Sequence, residues 1–168
     1  MLFHRFDPKK AEVTREAHER MGIMIVYEDY LTSLVAERTF DHIAARLGSD
    51  CEIQVAVRSF DVLTIPPLME QAACEAKASD LVLLSIYEHG KWPAAVESWM
   101  ELVVGKGVAQ HGGLAALLVR AQGDASAANG ERRATLEQLA QLSGRDFFVA
   151  KDVNWNACIS TNLSDPLA

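Results

Sequence analysis

The sequence predicts an α/β protein: a three-layer sandwich around a five-stranded parallel sheet in the order 2-1-3-4-5. Three observations predict it. Five short apolar runs alternate with stretches of helical period. Most of those runs are almost continuously hydrophobic, as strands covered on both faces must be. Glycine or proline stands where most of the intervening helices should stop or start. Right-handed crossovers leave few topologies for such a chain, and 2-1-3-4-5 is the best match for five strands.

Asp7-Pro8 opens the first helix, because Asp accepts from first-turn amides and Pro fits the first helical position. From Pro8 to about Arg20 the chain is polar nearly all round, which reads as a solvated extra helix within residues 1–21. Residues 22–27, GIMIVY, form the first strand. Residues 30–47 carry Leu31, Leu34, Val35, Phe40, Ile43, Ala44 and Leu47 at helical spacing, and Gly48 caps that helix. Cys51–Phe60 alternates, with Ile53, Val55 and Val57 on one face, and is the second strand. Pro66-Pro67 opens a helix to about Ala78, with Leu68, Ala72 and Cys74 or Glu75 near its buried edge. Leu81–Ile86 is the third strand. Pro93–Val104 is a helix whose Val96, Trp99, Met100 and Val103 recur at i, i+3, i+4 and i+7. Leu114–Val119 is the fourth strand, Glu131–Leu142 a helix and Asp146–Ala150 the fifth strand. The tail, 153–168, has no clear period and is expected to pack on its own domain or on a neighbouring subunit.

No repeat or linker divides the chain, so residues 1–168 read as one domain. The net charge of -7 argues against the basic surface that nucleic acids and anionic membranes require. No apolar run approaches the roughly 20 residues that span a bilayer. The first residues are charged and lack the apolar core of a signal peptide. Cys51, Cys74 and Cys158 are odd in number and widely spaced, with no metal-ligand pattern, so a cytoplasmic protein with reduced thiols is expected.

In an open parallel sheet, ligands bind beyond the carboxyl ends of the strands where the strand order reverses, here between strands 1 and 3. Strand 1 delivers Glu28 and Asp29 to that edge, with Thr32 and Ser33 just beyond, and strand 3 delivers Tyr87, Glu88, His89, Gly90, Lys91 and Trp92. Strand 4 delivers Arg120, Gln122 and Gly123, and strand 5 delivers Lys151. The candidate binding set is Glu28, Asp29, Thr32, Tyr87, Glu88, His89, Gly90, Trp92, Gln122 and Lys151. Surface loops are polar in any such fold, which accounts for part of this clustering. Glu28, Asp29, Glu88 and His89 would suit Mg²⁺ or Mn²⁺, or else Lys91 or Lys151 neutralises the acids.

Two resemblances start from this edge. "SIYEHGKWPAAVESWMELV", with Tyr87, Gly90 and Pro93, is similar to the flavin-facing loop of NADPH-dependent FMN reductases of the flavodoxin-like superfamily. "RAQGDASAANGERRATLEQLAQLSG", with Gly123 and Gly130, resembles the Gly-rich strand-4 loop of that family. The match spans about residues 79–144 and implies FMN against Tyr87–Gly90 and Gln122–Gly123. The family cradles the FMN phosphate after strand 1 with small and hydroxyl residues. Here that turn reads "YEDYLTSLV", with two carboxylates and no glycine between Tyr27 and Gly48. The second resemblance is to response-regulator receiver domains, which share the strand order. Glu28-Asp29 and Lys151 stand in corresponding places, but Ile86 or Tyr87 stands where the phospho-accepting Asp belongs.

The remaining candidates read as structural. Trp99 belongs to the core, whereas Trp92 either caps the helix entry or lines a pocket. Gly105–Gly113 follows a helix and precedes a strand, the reverse of a dinucleotide fingerprint. His4, His18 and His42 are expected in solvent, Cys74 has no base near it in sequence, and Asp61 reads as a turn residue. No GxSxG elbow or Ser-His-Asp grouping is present. The expected function is a non-catalytic or degenerate module that binds a protein partner or small ligand at the strand 1/strand 3 edge. The alternative is an FMN-dependent NAD(P)H oxidoreductase with an altered phosphate loop. Many proteins of this class form homodimers, and a homodimer is a candidate assembly for this chain.

Overall fold

The computed structural model describes residues 19–105, 111–120 and 130–150. In chain order these form β1 (Glu19–Tyr27), α1 (Tyr30–Leu47), β2 (Cys51–Ser59), α2 (Phe60–Leu63), α3 (Pro66–Ala78), β3 (Leu81–Tyr87), α4 (Ala94–Val104), β4 (Gly113–Val119), α5 (Glu131–Ser143) and β5 (Asp146–Ala150). The strands form one parallel sheet, ordered β2-β1-β3-β4-β5 as expected. The expected N-terminal helix up to residue 18, the tail 153–168, and Gln122, Gly123, Lys151, His4, His18 and Cys158 lie outside the described residues.

Strand alternation divides the core in two. Met24, Val26, Val82, Leu84, Ile86, Leu114, Ala116 and Leu118 face one side, where Val96, Trp99 and Val103 of α4 and Leu136, Leu139 and Ala140 of α5 cover them. Ile23, Ile25, Leu83, Leu117 and Val119 face the other side with Val35 and Ala36 of α1. Two helical layers flanking a sheet make the three-layer sandwich.

Several boundaries follow local chemistry. Asp29 caps α1 by accepting from Thr32 N at 3.0 Å, while Thr32 Oγ1 accepts from Asp29 N at 2.9 Å. That reciprocal box satisfies amides a helix start otherwise leaves open. β1 begins at Glu19, ahead of its apolar run, because Glu19 and Arg20 pair with Cys51 and Glu52 of β2. β2 ends at Ser59, which caps the short α2, so Phe60 and Asp61 are helical and Phe60 is buried. The buried side of α3 is Ala72, Ala73 and Ala76, while Leu68 and Cys74 are exposed. Gly112, at φ 105, carries the chain so close to β3 that a Cβ there would lie 2.1 Å from the Asp80 carbonyl oxygen. Only glycine fits such an approach.

α5 contributes few large apolar side chains to the core, and buried arginines hold both its ends. Arg145, just past its C-terminus, donates from Nη2 to the carbonyls of Ala76 at 2.7 Å and Ser79 at 2.9 Å. It thereby serves carbonyls at the end of α3, where that of Ala76 also accepts from Ser79 N at 3.2 Å. Burial lowers the Arg145 pKa, and the neighbouring Asp80 charge opposes that shift. Arg132, in the first turn of α5, reaches the opposite edge of the sheet.

Candidate functional site

The β1–β3 edge is closed by its own side chains. Glu28 leaves β1, Tyr87 ends β3, and Arg132 enters between them from α5. The Arg132 guanidinium is buried and makes five hydrogen bonds. Nε donates to the Gly90 carbonyl at 3.0 Å. Nη1 donates to Glu28 Oε2 at 2.7 Å and to the Tyr87 carbonyl at 3.1 Å. Nη2 donates to Glu28 Oε1 at 3.3 Å and to the Lys91 carbonyl at 2.7 Å. An arginine carries five N–H donors in a fixed fork, and here every one is engaged. The Trp92 ring lies under the guanidinium, 4.8 Å from Cζ to the ring centroid, and packs on Phe60 at 6.5 Å.

The segment Tyr87–Trp92 is therefore wrapped around a cation. Gly90 takes φ 120 there, and a Cβ at that position would lie 3.1 Å from Arg132 Nη2. Trp92 forms part of this packing. Among the described residues its buried indole Nε1 has no hydrogen-bond partner, a cost offset by the stacked guanidinium.

The other candidates are also engaged. Glu28 Oε2 accepts from Tyr87 N at 3.0 Å. Tyr87 donates its phenol to Asp29 Oδ2 at 2.8 Å. Partial burial, that hydrogen bond and the carboxylates of Asp29 and Glu28 raise the Tyr87 pKa from 10.0 to about 12. Thr32 is fully buried, and its Oγ1 accepts from Glu28 N as well as Asp29 N. Ser85 ties the same turn to the sheet by donating to the Thr32 carbonyl at 2.7 Å. A second branch joins Glu88 Oε2 to Arg120 Nε at 2.7 Å, with His89 Nε2 3.9 Å from the same oxygen.

The four proposed metal ligands do not converge. Glu28 turns to Arg132, Asp29 to the start of α1, and Glu88 to Arg120. Among the described residues no group of three or more His, Cys, Asp or Glu side chains is placed to hold a metal ion. Among the described residues the cations that meet Glu28 and Glu88 are arginines, and Lys91 contributes its backbone carbonyl to Arg132.

The residues present do not fit an FMN phosphate after β1. The turn is only Glu28 and Asp29, and both backbone amides donate to Thr32 Oγ1. The Thr32 amide is occupied by Asp29 Oδ1. A phosphate would have to displace these bonds and sit beside two carboxylates.

Arg132 was absent from the sequence-derived set, although one signal pointed to it. "GERRATLEQ" puts Arg132 and Arg133 in the first turn of α5, where the helix macrodipole disfavours cations. An arginine there needs a compensating anion, and Glu28 supplies it.

A cavity of about 300 Å³ lies elsewhere, between α1 and the outer strand β2, lined by Ile25, Tyr27, Ala36, Phe40, Val55 and Val57 among others. It stands at the small end of ligand pockets.

The strand order and layers define an α/β protein of the flavodoxin-like class. No protein-family model and no curated protein matches the chain. Among solved structures, the crystal structure of Smu.1420 from Streptococcus mutans UA159 aligns over 74% of this chain and 99% of that one, with 11% identity and a TM-score of 0.41. Among the described residues, no helix is long and apolar enough to cross a membrane.

Proposed function

We propose that this chain is a non-catalytic binding module that engages a protein partner through the rim of the β1/β3 edge. The observation that carries the proposal is the mutual saturation of the described groups at that edge. Glu28 and Arg132 are spent on each other and on the β3 loop, and Asp29 and Thr32 on the α1 cap. Acid–base catalysis needs a positioned group within hydrogen-bond reach of its proton partner. Here Tyr87 and Asp29 are bonded to each other at 2.8 Å, and Glu88 is held by Arg120, with His89 Nε2 3.9 Å from the same oxygen.

A saturated edge is a rigid platform, and rigid platforms lower the ordering cost of association. The rim of this one offers Tyr30, 72% exposed, and the Arg120 side chain, 60% exposed. Tyrosine and arginine are the residue types that most often carry interface energy.

A photo-crosslinking residue placed at Tyr30, and separately at Glu70 on α3 as a control, tests this in cells of the source organism. One discrete adduct from Tyr30 and none from Glu70 is the expected result. Equal labelling at both positions, or none at either, would overturn the proposal. Stoichiometric FMN retained through gel filtration would overturn it as well, in favour of the flavin-dependent alternative.

A further inference from the structure

We propose that the outer edge of β2 is a homodimer interface, in which two β2 strands pair antiparallel about a two-fold axis through Val55. The inference concerns a different surface from the β1/β3 rim and stands independently of the function proposed above.

β2 is the outer strand of the described sheet, and it pairs with β1 without a bulge from Cys51 to Ser59. Edge strands are usually protected from pairing by proline, lysine, a bulge or short length. This one has nine residues, CEIQVAVRS, with neither proline nor lysine. Val55 and Val57 are 47% and 46% exposed, on the sheet face that carries the α1 cavity. They continue the apolar strip of Ile25 and Phe40 out to the open edge.

The backbone and the charges select one register. The Val57 carbonyl accepts from Nη1 of the adjacent Arg58 at 2.8 Å, which places that carbonyl on the open side of the strand. Alternation along an extended chain then turns Ile53 and Val55 outward as well. A two-fold axis perpendicular to the sheet sets these outward groups opposite their counterparts when it passes through a residue of the strand rather than between two. Only an axis through Val55 overlaps the whole strand. Val55 then faces the partner's Val55, and Ile53 faces the partner's Val57. Glu52 faces the partner's Arg58. Within one subunit Arg20 already bonds Glu52 at 3.2 Å, and Arg58 bonds Glu75 at 2.6 Å. The dimer thus lines up Arg20, Glu52, the partner's Arg58 and the partner's Glu75 as one row of alternating charge. Directly opposed unlike charges and β-branched pairs both favour strand pairing. In this arrangement an amide of the second copy replaces the Arg58 side chain on the Val57 carbonyl.

Sedimentation equilibrium of the full chain over a dilution series tests the proposal. The expected mass is twice 18.4 kDa at high concentration, falling on dilution. Val55→Lys sets two ammonium groups face to face at the axis and is expected to give a monomer with an unchanged circular dichroism spectrum. Glu52→Arg should raise the dimer Kd at least about tenfold, or about 1.4 kcal/mol. Adding Arg58→Glu to Glu52→Arg re-forms the pair across the axis and should bring the Kd back towards the wild-type value, although Arg20 and Glu75 then meet like charges. A wild-type chain that stays monomeric throughout overturns the proposal. So does a dimer whose Kd none of these substitutions changes. If Val55→Lys fails to fold, the reciprocal charge swap decides: recovery of the Kd supports the register, and no recovery refutes it.

Discussion

Replacing Arg132 with alanine would open the β1/β3 edge from within. The substitution removes all five donors of the guanidinium together. Glu28 keeps its bond from Tyr87 N but loses its counter-charge. The carbonyls of Tyr87, Gly90 and Lys91 lose their donor. Removing one partner of a buried ion pair costs about 3–5 kcal/mol. The Glu28 side chain is 22% exposed, so water re-enters part of the site and a loss near the lower end, about 3 kcal/mol, is expected. For a chain of this size that corresponds to a fall in Tm of about 6–12 °C. Urea denaturation followed by tryptophan fluorescence reads the change directly, because Trp92 lies against the guanidinium. Arg132→Lys keeps the charge but has three donors in place of the fork, so it should recover less than half of the loss. A loss below about 1 kcal/mol for Arg132→Ala, the scale of a surface ion pair, would refute this account. Full stability of Arg132→Lys would refute the role given to the fork.

Two further predictions probe the same edge. Thr32→Val keeps the side-chain shape but leaves the amides of Glu28 and Asp29 without their acceptor, at an expected cost of about 1–3 kcal/mol in urea denaturation; an unchanged midpoint would refute the cap's role. Ultraviolet titration should show the Tyr87 phenol ionising near about 12 rather than 10.0, with Tyr87→Phe removing that step. Because the folded state holds this proton more tightly, its contribution to stability is complete below pH 10.0 and is lost as the pH rises towards about 12. Burial remains in Asp29→Asn, which should move the ionisation only part of the way down; no movement would refute the part assigned to Asp29.

The fold was legible where side-chain period and backbone chemistry agree. α1 and α3 run between their proline or acidic starts and their expected ends, and the buried residues of α4 are the four its period selects. α2 was not legible, because four residues are too few to show a helical period, and Ser59 before Phe60-Asp61 also suits a turn. The edge was legible because strand order alone sets the end of β1 beside the end of β3. Its interior was not. Periodicity assigns charged residues to solvent, so it hides the rare charge that is buried and fully bonded. The acids of the edge were recognised as needing cations, and the cation that reaches Glu28 lies 104 residues along the chain from it.

That separation has a consequence for rates. Bringing Arg132 to Glu28 closes a loop of 104 residues, over a sheet in which β1, β3 and β4 are paired. Contacts that depend on such distant closures form late in folding. Interactions absent from the folding transition state slow unfolding and leave the folding rate nearly unchanged. The guanidinium therefore acts as a latch on the native state's lifetime. In a chevron plot, Arg132→Ala should raise the unfolding limb and leave the refolding limb close to that of the wild type.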